Sequence, residues 1–199
     1  TATNDAISGI VLNTGELGSN YAFGELAGSL AGLVYVDGND DGVRQSTEPG
    51  LGGIVITLSG TTADGQDICA WRAALDPSQT CTVTTKADGS YIFDNLPKGT
   101  YALTETQPSA YADGREAAGS AGGSVNSGVF DGTPAATTIS NVALGAGVDG
   151  TDYVFGERAV VISGTVFKDP QRDGVNGGGE PPLAGVTIEL VQNGVVIAT

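Results

Sequence analysis

Asp37, Asn39, Asp41 and Glu48 stand first, third, fifth and twelfth in the run Asp37-Gly38-Asn39-Asp40-Asp41-Gly42-Val43-Arg44-Gln45-Ser46-Thr47-Glu48. This run fits the calcium-loop pattern D-x-[DN]-x-[DN]-G-x5-E in full. The spacing has a chemical reason. Ca²⁺ takes about six to eight oxygen ligands, so Asp37, Asn39 and Asp41 can converge from one side while Val43 offers its carbonyl. Gly42 supplies the sharp turn and Glu48 closes the shell with both oxygens. The same residue types also make ordinary turns without an ion. Four carboxylates within twelve residues would, however, repel one another without a cation.

A second, poorer copy follows as Asp169, Gln171, Asp173, Gly174 and Glu180. Gln171 keeps a carbonyl oxygen but loses a charge, and Pro170 stiffens the entry, so weaker binding is expected there.

The rest of the chain narrows the chemistry further. With no histidine in 199 residues, no Ser-His-Asp or Cys-His arrangement is possible, and a zinc site is not expected from two cysteines. No carboxylate pair stands out beyond the acidic loop, so an enzyme is not expected. The net charge of -15 disfavours nucleic acid and anionic membrane surfaces and favours cations. No apolar run approaches the roughly 18 residues of a membrane span, and the first residues lack a signal-peptide pattern. Any export signal or anchor is expected outside this stretch. Cys69 and Cys81 are expected to form a disulfide, which requires an oxidising compartment; two free thiols are the alternative.

The elements that hold the loops are read from a repeat. Tyr153-Val154-Phe155-Gly156-Glu157 echoes Tyr21-Ala22-Phe23-Gly24-Glu25 at an offset of 132 residues. At the same offset Ile139, Val142 and Leu144 fall on Ile7, Ile10 and Leu12. Ser163 to Asp169 falls on Ala31 to Asp37, and Leu183, Gly185, Ile188 and Leu190 fall on Leu51, Gly53, Ile56 and Leu58. The chain therefore reads as the closing strands of one repeat (1–26), a complete module (27–157) and the opening of a third (158–199). Strands at either end lack a module of their own to pack against. They are expected to fray or to find partners, either in a longer parent protein or by strand exchange with neighbouring copies.

Within the complete module the apolar residues alternate with period two around Leu33 and Tyr35, Ile54 to Leu58, Tyr91 and Phe93, Tyr101 and Leu103, Ile139 to Leu144, and Tyr153 to Phe155. With Thr82 to Lys86 this gives about seven strands, and helix should be scarce. The expected fold class is all-β: a Greek-key β-sandwich of immunoglobulin-like or prealbumin-like layout, repeated as modules in a tandem array. Residues 107–136, with Tyr111, Asp113, Phe130 and Asp131, read as a long loop rich in Gly, Ala and Ser.

If modules stack head to tail, the first strand runs toward the chain's exit, so the acidic loop sits near the next junction and metal would stiffen it. Asp149, Asp152 and Glu157 are candidate extra ligands on this ground. The short linkers after Glu25 and Glu157 favour a semi-rigid rod.

These features resemble the SdrD B-like domains of serine-aspartate repeat surface proteins, relatives of Cna-B modules. The carriers are Ala31 to Asp37 with Asn39 and Asp41-Gly42, Glu48-Pro49-Gly50-Leu51-Gly52-Gly53-Ile54 to Leu58, Thr84 to Tyr101, Glu105, Pro108, and Tyr153 to Glu157. The resemblance implies a calcium-stabilised, rod-forming spacer on the bacterial cell surface. It is weak over the Cys69 to Cys81 excursion and over 107–136. Cna-B relatives often carry a Lys-to-Asn crosslink helped by a buried acid. Glu105 resembles that acid, but Val36 stands where the lysine would be, so no crosslink is expected in the complete module; Lys168 occupies the matching place in the third.

The leading expectation is structural: a stalk or filament element whose partners are neighbouring repeats or copies of itself. The alternative is an adhesin module that meets a host or glycan ligand through Trp71, Tyr111 and Phe130.

Overall fold

The computed structural model of the protein describes residues 6–126, 137–159 and 162–198; Phe130 and Asp131 of the expected long loop lie outside them. The chain divides into two units, Thr1–Val160 and Val161–Thr199.

In the first unit the described strands are β1 (Gly28–Val36), β2 (Val55–Thr62), β3 (Thr82–Thr84), β4 (Ser90–Leu96), β5 (Gly99–Glu105), β6 (Ala112–Ala117), β7 (Ser124–Asn126), β8 (Thr138–Leu144) and β9 (Asp149–Arg158), with one helix, α1 (Ile68–Leu75). They form two sheets, β4-β1-β9-β6 and β3-β2-β5-β8-β7. Every step between consecutive described strands except β2 to β3 and β7 to β8 changes sheet, giving the expected Greek-key sandwich.

The core lies between the sheets. Leu30, Val34, Phe93, Tyr153 and Phe155 come from one, and Ile56, Leu58, Tyr101, Leu103, Ile139, Val142 and Leu144 from the other. Period-two alternation explains most of this, since alternate residues of a strand share a face. In β8 the inward step from Ile139 to Val142 is three residues, and Asn141 with φ 56° absorbs the extra one where the β5–β8 register shifts. β1 passes so close to β9 that a Cβ on Gly32 would lie 1.8 Å from the carbonyl oxygen of Tyr153. A side chain cannot stand there.

One expectation needs correction. Residues 107–136 are not one loop: β6 pairs with β9, and β7 pairs with β8, so each widens a sheet. Composition hid them because small and polar residues suffice at an edge. The Cys69 to Cys81 excursion contains α1, capped by Asp67, whose carboxylate accepts from the N–H groups of Cys69 and Ala70. Cys69 and Cys81 are joined in a disulfide. Arg72 is buried beneath α1 and donates to the carbonyls of Thr80 and Asp94.

The segment 6–25 has no described strand, and its apolar residues are exposed. Tyr21 and Phe23 are 50% and 54% exposed, whereas Tyr153 and Phe155, 132 residues later, are both at 0%. The local backbone nonetheless repeats: Gly9 and Asn20 have positive φ like Asn141 and Asp152.

The second unit holds the hairpin β10 (Leu190–Gln192) and β11 (Val195–Ala198), turned by Asn193-Gly194, both at positive φ. Ahead of it Leu183 N–H donates to Val166 O at 2.8 Å, the bond that Leu51 makes to Val34 at 2.8 Å in the first unit. Among the described residues, no helix is long and apolar enough to cross a membrane.

Candidate metal centre

The acidic loop leaves β1 at Asp37 and returns at Glu48, both nearly buried at 1% and 8% exposed. Its backbone folds around its own carboxylates. Asp37 accepts from the N–H groups of Asp41 (3.2 Å) and Gly42 (2.8 Å), and Asp41 from that of Val43 (2.8 Å). Glu48 reaches back with one oxygen to Gly38 N–H (2.7 Å) and the other to Gln45 N–H (2.9 Å). Asn39 and Gln45 amides donate to Asp41. Positive φ at Asp40 and Gly42 lets the chain curl this tightly.

These bonds turn the carboxylates of Asp37, Asp41 and Glu48 onto the loop's own N–H groups, and among the described residues no three acids are brought together as a metal-holding group. The Asp41 carboxyl is held below its usual range, first by the Val43 N–H, then by the Gln45 and Asn39 amides. Tyr35 lies beneath the loop, and burial together with Asp37, Glu48 and Asp41 pushes its hydroxyl well up. The donor set suits a hard cation: carboxylate, amide and carbonyl oxygens, without nitrogen or sulfur. Val43 is exposed, so its carbonyl belongs to an open side of the loop.

The second loop repeats four of these bonds, while Pro170, at the place of Gly38, has no N–H to give to Glu180. Asp169 accepts from Asp173 (3.2 Å) and Gly174 (2.9 Å), Asp173 from Val175 (2.9 Å), and Glu180 from Gly177 (2.9 Å). Arg172 and Gly174 carry the positive φ of Asp40 and Gly42. Gln171 takes the place of Asn39 without a corresponding bond to Asp173 among those described.

Of the three extra ligand candidates, the structure brings only Glu157 near the first loop. β1 and β9 run parallel, with Ser29 beside Asp149 and Val36 beside Glu157. Asp149 accepts from the Ser29 hydroxyl, and Asp152 from that of Thr151, at the far end of the sheet. Seven residues of strand put Asp149 roughly 20–25 Å from the loop. Neither Asp149 nor Asp152 can be its ligand, because parallel pairing carries the two strands' starts to the opposite end from their exits.

Around Glu157 is a group of acids that loop spacing does not reveal. Glu157 and Glu105 are both buried, with Asp113 of β6 in register beside Glu157. Burial pushes the Glu105 carboxyl far up, and the neighbouring Glu157 adds to it; burial also raises Glu157, opposed by hydrogen bonds from Glu105 and Gln107. Gln107 Nε2 donates to Glu157 at 2.5 Å, and the Thr137 hydroxyl donates to Asp113 at 2.9 Å. The signal for this cluster is present in sequence as an inward phase that ends in an acid, Tyr101-x-Leu103-x-Glu105 and Tyr153-x-Phe155-x-Glu157. Val36, where a crosslinking lysine would stand, lies beside Glu157 in the sheet.

Comparison with known proteins agrees with this architecture. The SdrD B-like domain family matches residues 28–156. The serine-aspartate repeat-containing protein D of Staphylococcus aureus (strain Newman) is 28% identical over 178 residues, covering 86% of this chain and 12% of that protein. Protein F of Staphylococcus epidermidis is 31% identical over 172 residues, covering 86% of this chain and 9% of its own length. The chain thus spans about a tenth of these relatives. Among solved structures, a minor pilin of Streptococcus agalactiae aligns with a TM-score of 0.37 at 19% identity, over 70% of this chain and 48% of that one. With its family model matched from β1 through β9, the chain belongs to the SdrD B-like domain family.

Proposed function

We propose that the protein is a calcium-stabilised structural repeat of a bacterial extracellular surface protein, a semi-rigid stalk or filament element without catalytic activity. The observation that carries this reading is the folded acidic loop, with Asp37 and Glu48 buried and their carboxylates bonded to the loop's own N–H groups. Asp37, Asn39, Asp41, Val43 and Glu48 would hold Ca²⁺, and Asp169, Gln171, Asp173 and Glu180 a second ion more weakly. Calcium would supply the charge that offsets the four carboxylates of the loop. Parallel pairing of β1 and β9 puts this loop at the end where the chain leaves β9, so an ion there would stiffen the exit toward whatever follows.

The membership of the family and the disulfide support an extracellular setting. Neighbouring repeats, or copies of the chain, are the partners that the exposed apolar ends favour. An adhesin surface has less support, since Trp71 packs against the core and β6 and β7 are built into the sheets.

Thermal unfolding in Ca²⁺ and in excess EGTA tests the reading, with Asp37→Ala plus Asp41→Ala alongside. A calcium-dependent rise in Tm that the double variant abolishes is expected. Equal melting in both conditions would leave an ion-free acidic turn and sink the calcium assignment.

A further inference from the structure

At the 132-residue offset, Leu17 to Leu26 stand for β9 and Ile162 to Lys168 for most of β1. In the complete module these two strands are direct neighbours and parallel, with Val34 beside Phe155 and Val36 beside Glu157. Leu30, Ile56 and Leu58 are fully buried there, whereas their counterparts Ile162, Ile188 and Leu190 are exposed, as are Tyr21 and Phe23.

Both segments already hold the backbone that such pairing needs. Asn20 has φ 66° where Asp152 has 65°. The Tyr21 ring lies 3.0 Å from where a Cβ on Gly18 would stand, as the Tyr153 ring lies 3.1 Å from that of Gly150. In the other segment Lys168 N–H donates to Pro181 O at 3.0 Å, as Val36 does to Pro49 at 2.9 Å, and Phe167 bridges Pro182 as Tyr35 bridges Gly50. Strands held near their final shape lose little conformational freedom on docking.

Two features say what fits against residues 162–168. Gly32 is where β1 touches β9, since a Cβ there would lie 1.8 Å from the carbonyl oxygen of Tyr153. Gly164 takes the place of Gly32, and a Cβ on it meets nothing within 4 Å among the described residues. That open space suits the backbone of a strand in the register of β9, and Tyr21 is the residue that stands for Tyr153. Lys168 takes the place of Val36, and Glu25 that of Glu157, so the same register sets opposite charges side by side.

We propose that residues 17–26 of one copy add as a parallel strand to residues 162–168 of a second copy, joining copies head to tail. β1 begins and β9 finishes at opposite ends of the sandwich, roughly 25–30 Å apart, so donor and acceptor segments leave the module at different ends. A contact between two different surfaces of one chain is not satisfied by a dimer and grows into a ring or an open series. The proposal rests on the reading of the chain as a structural repeat and names its partner; it makes no use of calcium.

Sedimentation of the full chain over a concentration series tests it, with two variants. Gly164→Val blocks the acceptor segment, and because its side chain projects into open space the Tm should stay at the wild-type value. Tyr21→Asp plus Phe23→Asp spoils the donor segment at two exposed positions. The wild type should form dimers and larger species as concentration rises. Each variant alone should stay monomeric, and an equal mixture should give a dimer and nothing larger, because one intact donor and one intact acceptor remain. A wild type that is monomeric at every concentration, with its segments bare or folded back within one chain, overturns the proposal. Assembly that survives Gly164→Val overturns it as well. The calcium reading is judged apart from this: a monomer whose Tm still rises in Ca²⁺ sinks strand exchange alone, and assembly with a calcium-blind Tm sinks calcium alone.

Discussion

The N–H of Asp37 donates to the carbonyl of Glu157 at 2.8 Å, so the first residue of the acidic loop hangs from the last inward residue of β9. Loop and sandwich end are one mechanical piece. An ion that held Asp37 would brace the exit of β9 through this one hydrogen bond.

Calcium stabilisation should follow mass action. At free Ca²⁺ about 100 times the dissociation constant, one site adds about 2.7 kcal/mol to unfolding. The expected outcome is a melting temperature that climbs with the logarithm of calcium concentration, read by calorimetry. A flat response would exclude selective binding to the folded chain.

The repeat offers a controlled comparison of burial. Phe155→Ala should destabilise by about 3–5 kcal/mol, because the ring is fully enclosed between the sheets. Phe23→Ala, at the same place in the preceding repeat but 54% exposed, should change stability by about 0.5 kcal/mol or less. Urea unfolding of both variants gives the two values. Equal losses would show that 6–25 packs against something in solution.

Removing the disulfide by Cys69→Ser plus Cys81→Ser should cost roughly 3 kcal/mol on the chain-entropy model. The bond pins α1 to the entry of β3, so proteolysis of the oxidised and reduced chains should differ first within 64–81.

Arg72 anchors the same excursion from beneath. Its buried guanidinium holds the carbonyls of Thr80 (3.2 Å) and Asp94 (2.7 Å), and burial lowers its pKa while Asp94 opposes that. Arg72→Ala should cost about 2–3 kcal/mol, since the carbonyls of Thr80 and Asp94 lose a charged donor. Chemical denaturation measures it, and Arg72→Lys should recover only part because the fork geometry is lost.

The turn before β4 should show a defined acid dependence. Asp88 accepts from the hydroxyl (2.7 Å) and then the N–H (3.0 Å) of Ser90, which hold its carboxyl below the usual range. A folded-state pKa below the unfolded value contributes stability that is present above the unfolded pKa and lost as pH falls through the folded one. Ser90→Ala should raise the Asp88 pKa toward its ordinary value, read by NMR titration. An unchanged pKa would show that the hydroxyl bond does not form.

The sequence alone determined the fold class, the 132-residue repeat, the acidic loops and the cysteine pair. Each is local or periodic: alternation such as Tyr153-x-Phe155, or a twelve-residue ligand spacing. Family resemblance also singled out Glu105 before any geometry did. Tertiary structure alone decided which acids are buried. Glu105 and Glu157 are far apart in sequence, and only the sandwich buries both, while parallel pairing of β1 with β9 removes Asp149 and Asp152 from the loop. Strands β6 and β7 escaped notice because edge pairing is a backbone matter, needing only a neighbour with free N–H and C=O groups rather than an apolar pattern.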